Sequence, residues 1–155
     1  MHKILSQDYL KFPWLIKALN AGGMGSWLWD LQSDDVYMDE GEQTLLGIAT
    51  NDNKVNAERF FERVHNDDRD RVRGQVEQAM RENITFESEF RYLKPDGRVI
   101  WLGARGDSVA VDDRNYKHFA GVNWDLTSIK EAEAQADYIA KEMAHRVKNI
   151  IAMIS

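Results

Sequence analysis

Hydrophobic and polar positions divide the chain into four zones. From about Ser6 to Asn20, the apolar residues Tyr9, Leu10, Trp14, Leu15, Ile16 and Leu19 alternate with polar ones, predicting a short amphipathic helix that ends at Gly22-Gly23. Pro13 lies inside it and, lacking an N–H, is expected to interrupt or kink it. The second zone opens with Ser26-Trp27-Leu28-Trp29-Asp30-Leu31, an aromatic-rich strand, and turns at Gln32-Ser33-Asp34-Asp35 into a second strand, Val36-Tyr37-Met38. Leu45 and Leu46 suggest a short helix, and Ala57–Val64 another. A longer helix starts near Asp67, with Val72, Val76, Ala79 and Met80 at i, i+4, i+7 and i+8 and with Asn66-Asp67-Asp68 supplying acceptors and negative charge at its positive end. In the third zone, Phe86–Tyr92 alternates apolar with charged residues, the period of a half-buried strand. The turn Lys94-Pro95-Asp96-Gly97 leads to a strand from Val99 to Val111, and Asp112-Asp113-Arg114-Asn115 to a last one over Tyr116–Asp125. From Ser128 onward Pro and Gly are absent. Ile129, Ala132, Ala136, Ile139 and Met143 follow 3-4-3-4 spacing, the seam of a coiled coil.

Two strands, a cluster of short helices, three strands and one long helix predict an α+β fold. The expected architecture is a five-stranded antiparallel sheet with short helices on one side, an N-terminal helix and a long coiled-coil-like C-terminal helix. The expected divisions are an N-terminal helical cap over 1–22, a globular domain over 23–127 and a signalling helix over 128–155.

Composition narrows the chemistry. With 20 Lys+Arg against 26 Asp+Glu, the 155-residue chain has a formal charge of −6, which argues against a general nucleic-acid or anionic-membrane binder. The absence of cysteine excludes disulfides, thiolate metal sites, a cysteine nucleophile and a flavin–cysteinyl adduct. No signal-peptide pattern opens the chain, and no run approaches the roughly 18 apolar residues of a membrane span. A cytoplasmic location is expected.

The order of elements and five motifs resemble a PAS domain of the branch that ends in a PAC segment. The motifs are Gly25-Ser26-Trp27-Leu28-Trp29-Asp30, Val64-His65-Asn66-Asp67-Asp68-Arg69, Phe86-x-x-Glu89-Phe90-Arg91, Asp96-Gly97-x-x-x-Trp101 and Gly121-x-x-x-Asp125-Leu126-Thr127. Asn66 stands where the family usually has proline, and Leu126 where isoleucine is common. The resemblance implies that Asp125 and Thr127 join the last strand to a signalling helix, with Thr127 as the cap of a helix starting near Ser128. It also makes Trp101 and Trp124, on the central strands, the candidate lining of a small-molecule cavity.

Farther on, Glu142-Met143-Ala144-His145-Arg146-Val147-Lys148-Asn149 resembles the phosphoacceptor box of a histidine kinase of the HWE type or a sister group. That resemblance implies that His145 accepts the γ-phosphoryl group of ATP, bound with magnesium in an ATP-binding domain beyond this segment, and passes it to an aspartate of a response regulator. Periodicity is an independent argument: at about 100° per residue, Met143, Val147, Ile150 and Ile154 fall within about 40° of the direction opposite His145. A near-neutral imidazole is partly unprotonated and nucleophilic. Arg146 and Lys148 are candidates to offset phosphoryl charge, Asn149 completes the box, and Glu142, one turn back, is a candidate local base. The bland reading is a solvated surface histidine.

The remaining chemistry is thin. His65-Asn66-Asp67-Asp68 reads as a helix start rather than a metal site, His118 alternates with Tyr116 and Ala120 on a strand, and Gly22-Gly23-Met24-Gly25 lacks the Lys-Ser/Thr of a phosphate loop. No metal or cofactor is evident in this segment. The expected function is the sensory domain of a cytoplasmic two-component histidine kinase, homodimeric through its C-terminal helix with the PAS domain as a second contact, and inactive alone. The alternative is a PAS interaction module without a ligand.

Overall fold

The computed structural model describes residues 13–110 and 117–155. The chain divides into a unit ending at Asp125 and a second unit, Leu126–Ser155, each described by itself. The first contains α1 (Pro13–Ala21), β1 (Met24–Asp30), β2 (Asp35–Met38), α2 (Glu40–Leu46), β3 (Lys54–Asn56), α3 (Ala57–Arg63), α4 (Asn66–Glu82), β4 (Phe86–Leu93), β5 (Val99–Ala110) and β6 (Lys117–Asp125). The second is α5 (Thr127–Ile154). Pro13 is the first described residue of α1. The residues of the expected helix before Pro13, and the expected turn Asp112–Asn115, lie outside the described residues.

The α+β expectation holds, with one correction: the sheet has six strands rather than five, in the order β3-β2-β1-β6-β5-β4, every neighbouring pair antiparallel. The additional strand, β3, is three residues long, too short to display a period. First and last strands meet in the middle, with Gly25 opposite Asn123, Trp27 opposite Gly121 and Trp29 opposite Phe119. Directly opposed residues share a face, so these six project together, along with Ala104 opposite Asn123 on β5. Helices α2, α3 and α4 bring Leu46, Phe61, Val72, Val76 and Ala79 onto that face, where they form one core with Phe86, Phe90, Leu102 and Phe119.

Local chemistry fixes the helix starts. Asp39 caps α2 by accepting the Glu42 backbone N–H at 2.7 Å, and it accepts the Ser26 hydroxyl at 2.7 Å as well. At α4 the cap is His65, whose Nδ1 accepts the Asp67 N–H at 3.1 Å, while Asn66 becomes the first helical residue. Asp68 instead reaches across to β4. It accepts the Arg91 backbone N–H and Nε–H at 2.9 Å each, and Nη2–H at 2.8 Å. Those guanidinium bonds hold the Asp68 carboxyl down at about 2, against the opposing effect of burial. The fork of Asp68 and Arg91 therefore ties the start of α4 to the sheet.

Helix α5 begins at Thr127, one residue before the expected start. Leu126 occupies the cap position without a side-chain cap bond, so Thr127 is a first-turn residue and not the cap.

Candidate functional site

Between the sheet and its helices lies a cavity of about 50 Å³. It holds a water or a few-atom ligand, far below the roughly 300–1,000 Å³ of sites for drug-sized molecules. The sheet contributes Trp27, Trp29, Ala104 and Phe119, α3 contributes Phe60 and Phe61, and α4 contributes Val72 and Val76. Trp27 reaches its place because Gly106 and Gly121 carry no Cβ beneath its ring. It lies 5.5 Å from Phe119, and Trp29 lies 6.0 Å from Phe61, ring centroid to centroid.

One corner of this apolar shell is polar. Glu42, 1% exposed, points inward from α2, and its Oε1 accepts the Asn123 amide N–H at 2.6 Å. The Asn123 carbonyl in turn accepts the Trp27 Nε1–H at 3.0 Å. Glu42 Oε2 has no hydrogen-bond partner among the described residues. Burial pushes the Glu42 carboxyl up to about 8; the Asn123 donor opposes that rise and the charge of Asp39 adds to it. Below that pH the group is a neutral acid. Gly25 makes the corner possible, since a Cβ there would run into the Glu42 backbone and carboxyl.

Trp101 and Trp124 do not line this cavity. Gly103 opposes Trp124, and Trp101 shares its parity, so both indoles project from the opposite face of the sheet. There Trp101 lies under the Arg91 guanidinium at 5.5 Å, and Trp124 covers Gly103. The indoles that do line the cavity, Trp27 and Trp29, stand on the first strand, β1. Glu42 was hidden in the acidic run Asp39-Glu40-Gly41-Glu42, although its i±4 spacing from Met38 and Leu46 marks an inward position.

In the second unit, α5 carries His145 on an exposed surface. The Asn149 amide nitrogen stands 3.4 Å from His145 Nδ1, one turn along. The Glu142 carboxylate lies 3.5 Å from Arg146 Nε. Opposite His145, Met143, Val147, Ile150 and Ile154 form an exposed apolar stripe. Apart from the two tryptophans, the sequence-selected residues fall in two places: Thr127, Glu142, His145, Arg146, Lys148 and Asn149 on α5, and Asp125 at the end of β6.

Among the described residues, no group of three or more His, Asp or Glu is placed to hold a metal ion, and no helix is long and apolar enough to cross a membrane. His118 is buried, with neither ring nitrogen hydrogen-bonded among the described residues and Nε2 4.0 Å from the Asp30 carboxylate.

Similar proteins agree on the fold. The sensor protein FixL of Bradyrhizobium diazoefficiens is 26% identical over 111 residues, 72% of this chain and 22% of that protein. The blue-light-activated histidine kinase of Brucella anthropi is 24% identical over 154 residues, 99% of this chain and 30% of that protein. The chain thus spans less than a third of the length of either. The crystal structure of a sensory box histidine kinase/response regulator from Burkholderia thailandensis superposes with a TM-score of 0.69 at 21% identity, over 83% of this chain and 95% of that one. The sequence profile of the PAS fold matches residues 35–123, from the start of β2 to the cavity residue Asn123. More than half of the chain lies within that match, and it belongs to the PAS fold family.

Proposed function

We propose that this chain is the sensory part of a cytoplasmic two-component histidine kinase, in which the PAS unit biases α5 and thereby the access of ATP to His145. The observation that carries this reading is the exposed imidazole of His145, with an apolar stripe on the other side of the same helix. A phosphoacceptor must show one ring nitrogen to two successive partners, and a dimeric helical bundle buries the stripe while leaving the imidazole wet. The relatives, a sensor protein and a histidine kinase, support the same assignment. The order His145-Arg146-Val147-Lys148-Asn149 favours the HWE type or a sister group, with a PAC segment closing the sensor domain.

In the proposed step, an unprotonated ring nitrogen of His145 attacks the γ-phosphorus of ATP. The bond to the bridging oxygen breaks, ADP leaves, and the ring proton passes to solvent. Asn149, beside Nδ1, orients the imidazole. Lys148 and Arg146 offset phosphoryl charge, and Arg146 must leave its Glu142 partner to do so. The phosphoryl group then moves to a response-regulator aspartate. ATP and magnesium belong to a catalytic domain of the full-length protein, and the dimer forms through α5 with a second contact through the PAS unit. In the full-length protein, His145→Gln is expected to abolish acid-labile phosphorylation from ATP; undiminished labelling would overturn the assignment.

A further inference from the structure

The polar corner of the PAS cavity is incomplete. Both polar atoms of the Asn123 side chain are engaged, its amide donating to Glu42 Oε1 and its carbonyl accepting from Trp27. Glu42 Oε2 alone is left over, on a residue that lines the cavity and is 1% exposed. A buried carboxyl oxygen without a partner is costly whether or not it carries the proton, and a second carboxyl, Asp39, sits one turn away. No basic side chain among the described residues pairs with either one. The rest of the wall is apolar, aliphatic and aromatic in similar measure, with Trp27, Trp29, Phe61 and Phe119 among its aromatic residues. A carboxylate beside aromatic rings matches a group that carries both N–H donors and positive charge, since the ring faces attract cations and the carboxylate pairs with them.

We propose that the cavity binds a small organic ammonium, a primary or N-methylated amine of a few non-hydrogen atoms, whose N–H donates to Glu42 Oε2 while its alkyl part lies against Trp27 and Trp29. The inference rests on the sensor reading above and names the ligand class of that sensor. The cavity of about 50 Å³ sets the size. For three non-hydrogen atoms, the ceiling on binding energy per atom limits the dissociation constant to about half-millimolar at best. Binding ionises Glu42, whose carboxyl burial holds neutral below about 8. The titratable groups around it are Asp39 at the cap of α2 and Tyr92 on β4, whose buried hydroxyl is pushed up by burial and by the charge of Glu42 and held back by Arg63 and Arg59 of α3. A cation therefore enters a corner with no cation of its own.

The test titrates the 155-residue chain with ethylammonium chloride, against ethanol and sodium chloride at matched concentrations, reading the indole N–H NMR signals of Trp27 and Trp29. Saturable shifts are expected with ethylammonium alone. The apparent dissociation constant should fall about tenfold per pH unit from 6.5 to 8 and level off above, because only the ionised carboxyl pairs with the cation. Glu42→Gln should weaken binding at least tenfold. The wild-type pH profile stands by itself if that variant does not fold. No saturable shift, equal binding of ethanol, or a pH-independent dissociation constant would overturn the proposal. None of these results alters the outcome at His145, so failure of the ligand class and failure of the kinase reading are separable.

Discussion

Glu42 gives the sharpest quantitative expectation for the fold. Its carboxyl is held at about 8 instead of the ordinary 4.5, chiefly by burial. In that interval the unfolded chain loses the proton while the folded chain keeps it, so the folded state binds more protons and stability falls as pH rises. The contribution is fully present below about 4.5, declines by about 1.4 kcal/mol per pH unit, and is exhausted near pH 8. Between pH 5.5 and 8 that amounts to about 3 kcal/mol, a large share of the roughly 5–15 kcal/mol that stabilises an ordinary domain, and about 10 °C in Tm. Glu42→Gln keeps an oxygen for the Asn123 donor but places an unpaired amide N–H where Oε2 stood, which costs about 1–2 kcal/mol at low pH. Its advantage appears on the alkaline side, because the variant has nothing to ionise. Urea unfolding of both chains from pH 5 to 8.5, followed by tryptophan fluorescence, measures the difference. Taking the difference removes the histidine titrations that both share. The stability curves are expected to cross between about pH 5 and 6, with the variant the more stable above. Parallel curves, or a wild-type profile that is flat across the window, would refute the argument that the buried carboxyl is neutral.

The fork of Asp68 and Arg91 has the opposite sign. Its depressed carboxyl contributes stability above about pH 4 that is lost as pH falls through about 2, so Asp68→Asn should cost about 2–3 kcal/mol at pH 7 in urea unfolding and flatten the acid limb. On the kinase proposal, Asp125→Ala, at the end of β6, should change autophosphorylation of the full-length protein by more than its Tm shift accounts for; output that simply tracks stability would remove Asp125 from signal coupling. On α5, Ile150→Glu places a charge on the exposed apolar stripe and should convert dimer to monomer in sedimentation without moving the far-UV spectrum of the PAS unit. An unchanged sedimentation coefficient would assign the dimer contact elsewhere.

What could be read from the sequence followed the length over which a period repeats. The strands β4 and β5 announce themselves because eight and twelve residues give an alternation room to show. The three residues of β3 do not, and its place in the sheet is decided by pairing with β2. The meeting of β1 with β6 joins segments nearly a hundred residues apart, for which no local pattern exists. The side of α5 that carries His145 was legible because a 28-residue helix repeats its wheel many times. Trp101 was misplaced by type: a tryptophan on a central strand suggests a cavity wall, but its parity differs from that of the buried Ile100 and Leu102, and parity decides the face.

The cavity corner was illegible for a different reason. Burial normally shows in sequence as apolar residues at a repeating interval, and Glu42 breaks that rule at an inward position of α2, between Met38 and Leu46. Its partner Asn123 lies 81 positions away. Asn123 also stands on the same face of β6 as Asp125, two residues before the strand ends and α5 begins. A change in the charge of Glu42 therefore acts first on a side chain near the end of β6. Such an arrangement is costly to maintain, since a well-packed leucine at position 42 would stabilise the core more than an acid that must stay neutral. The exception to the hydrophobic pattern thus marks the place where the PAS core has something to read besides its own packing.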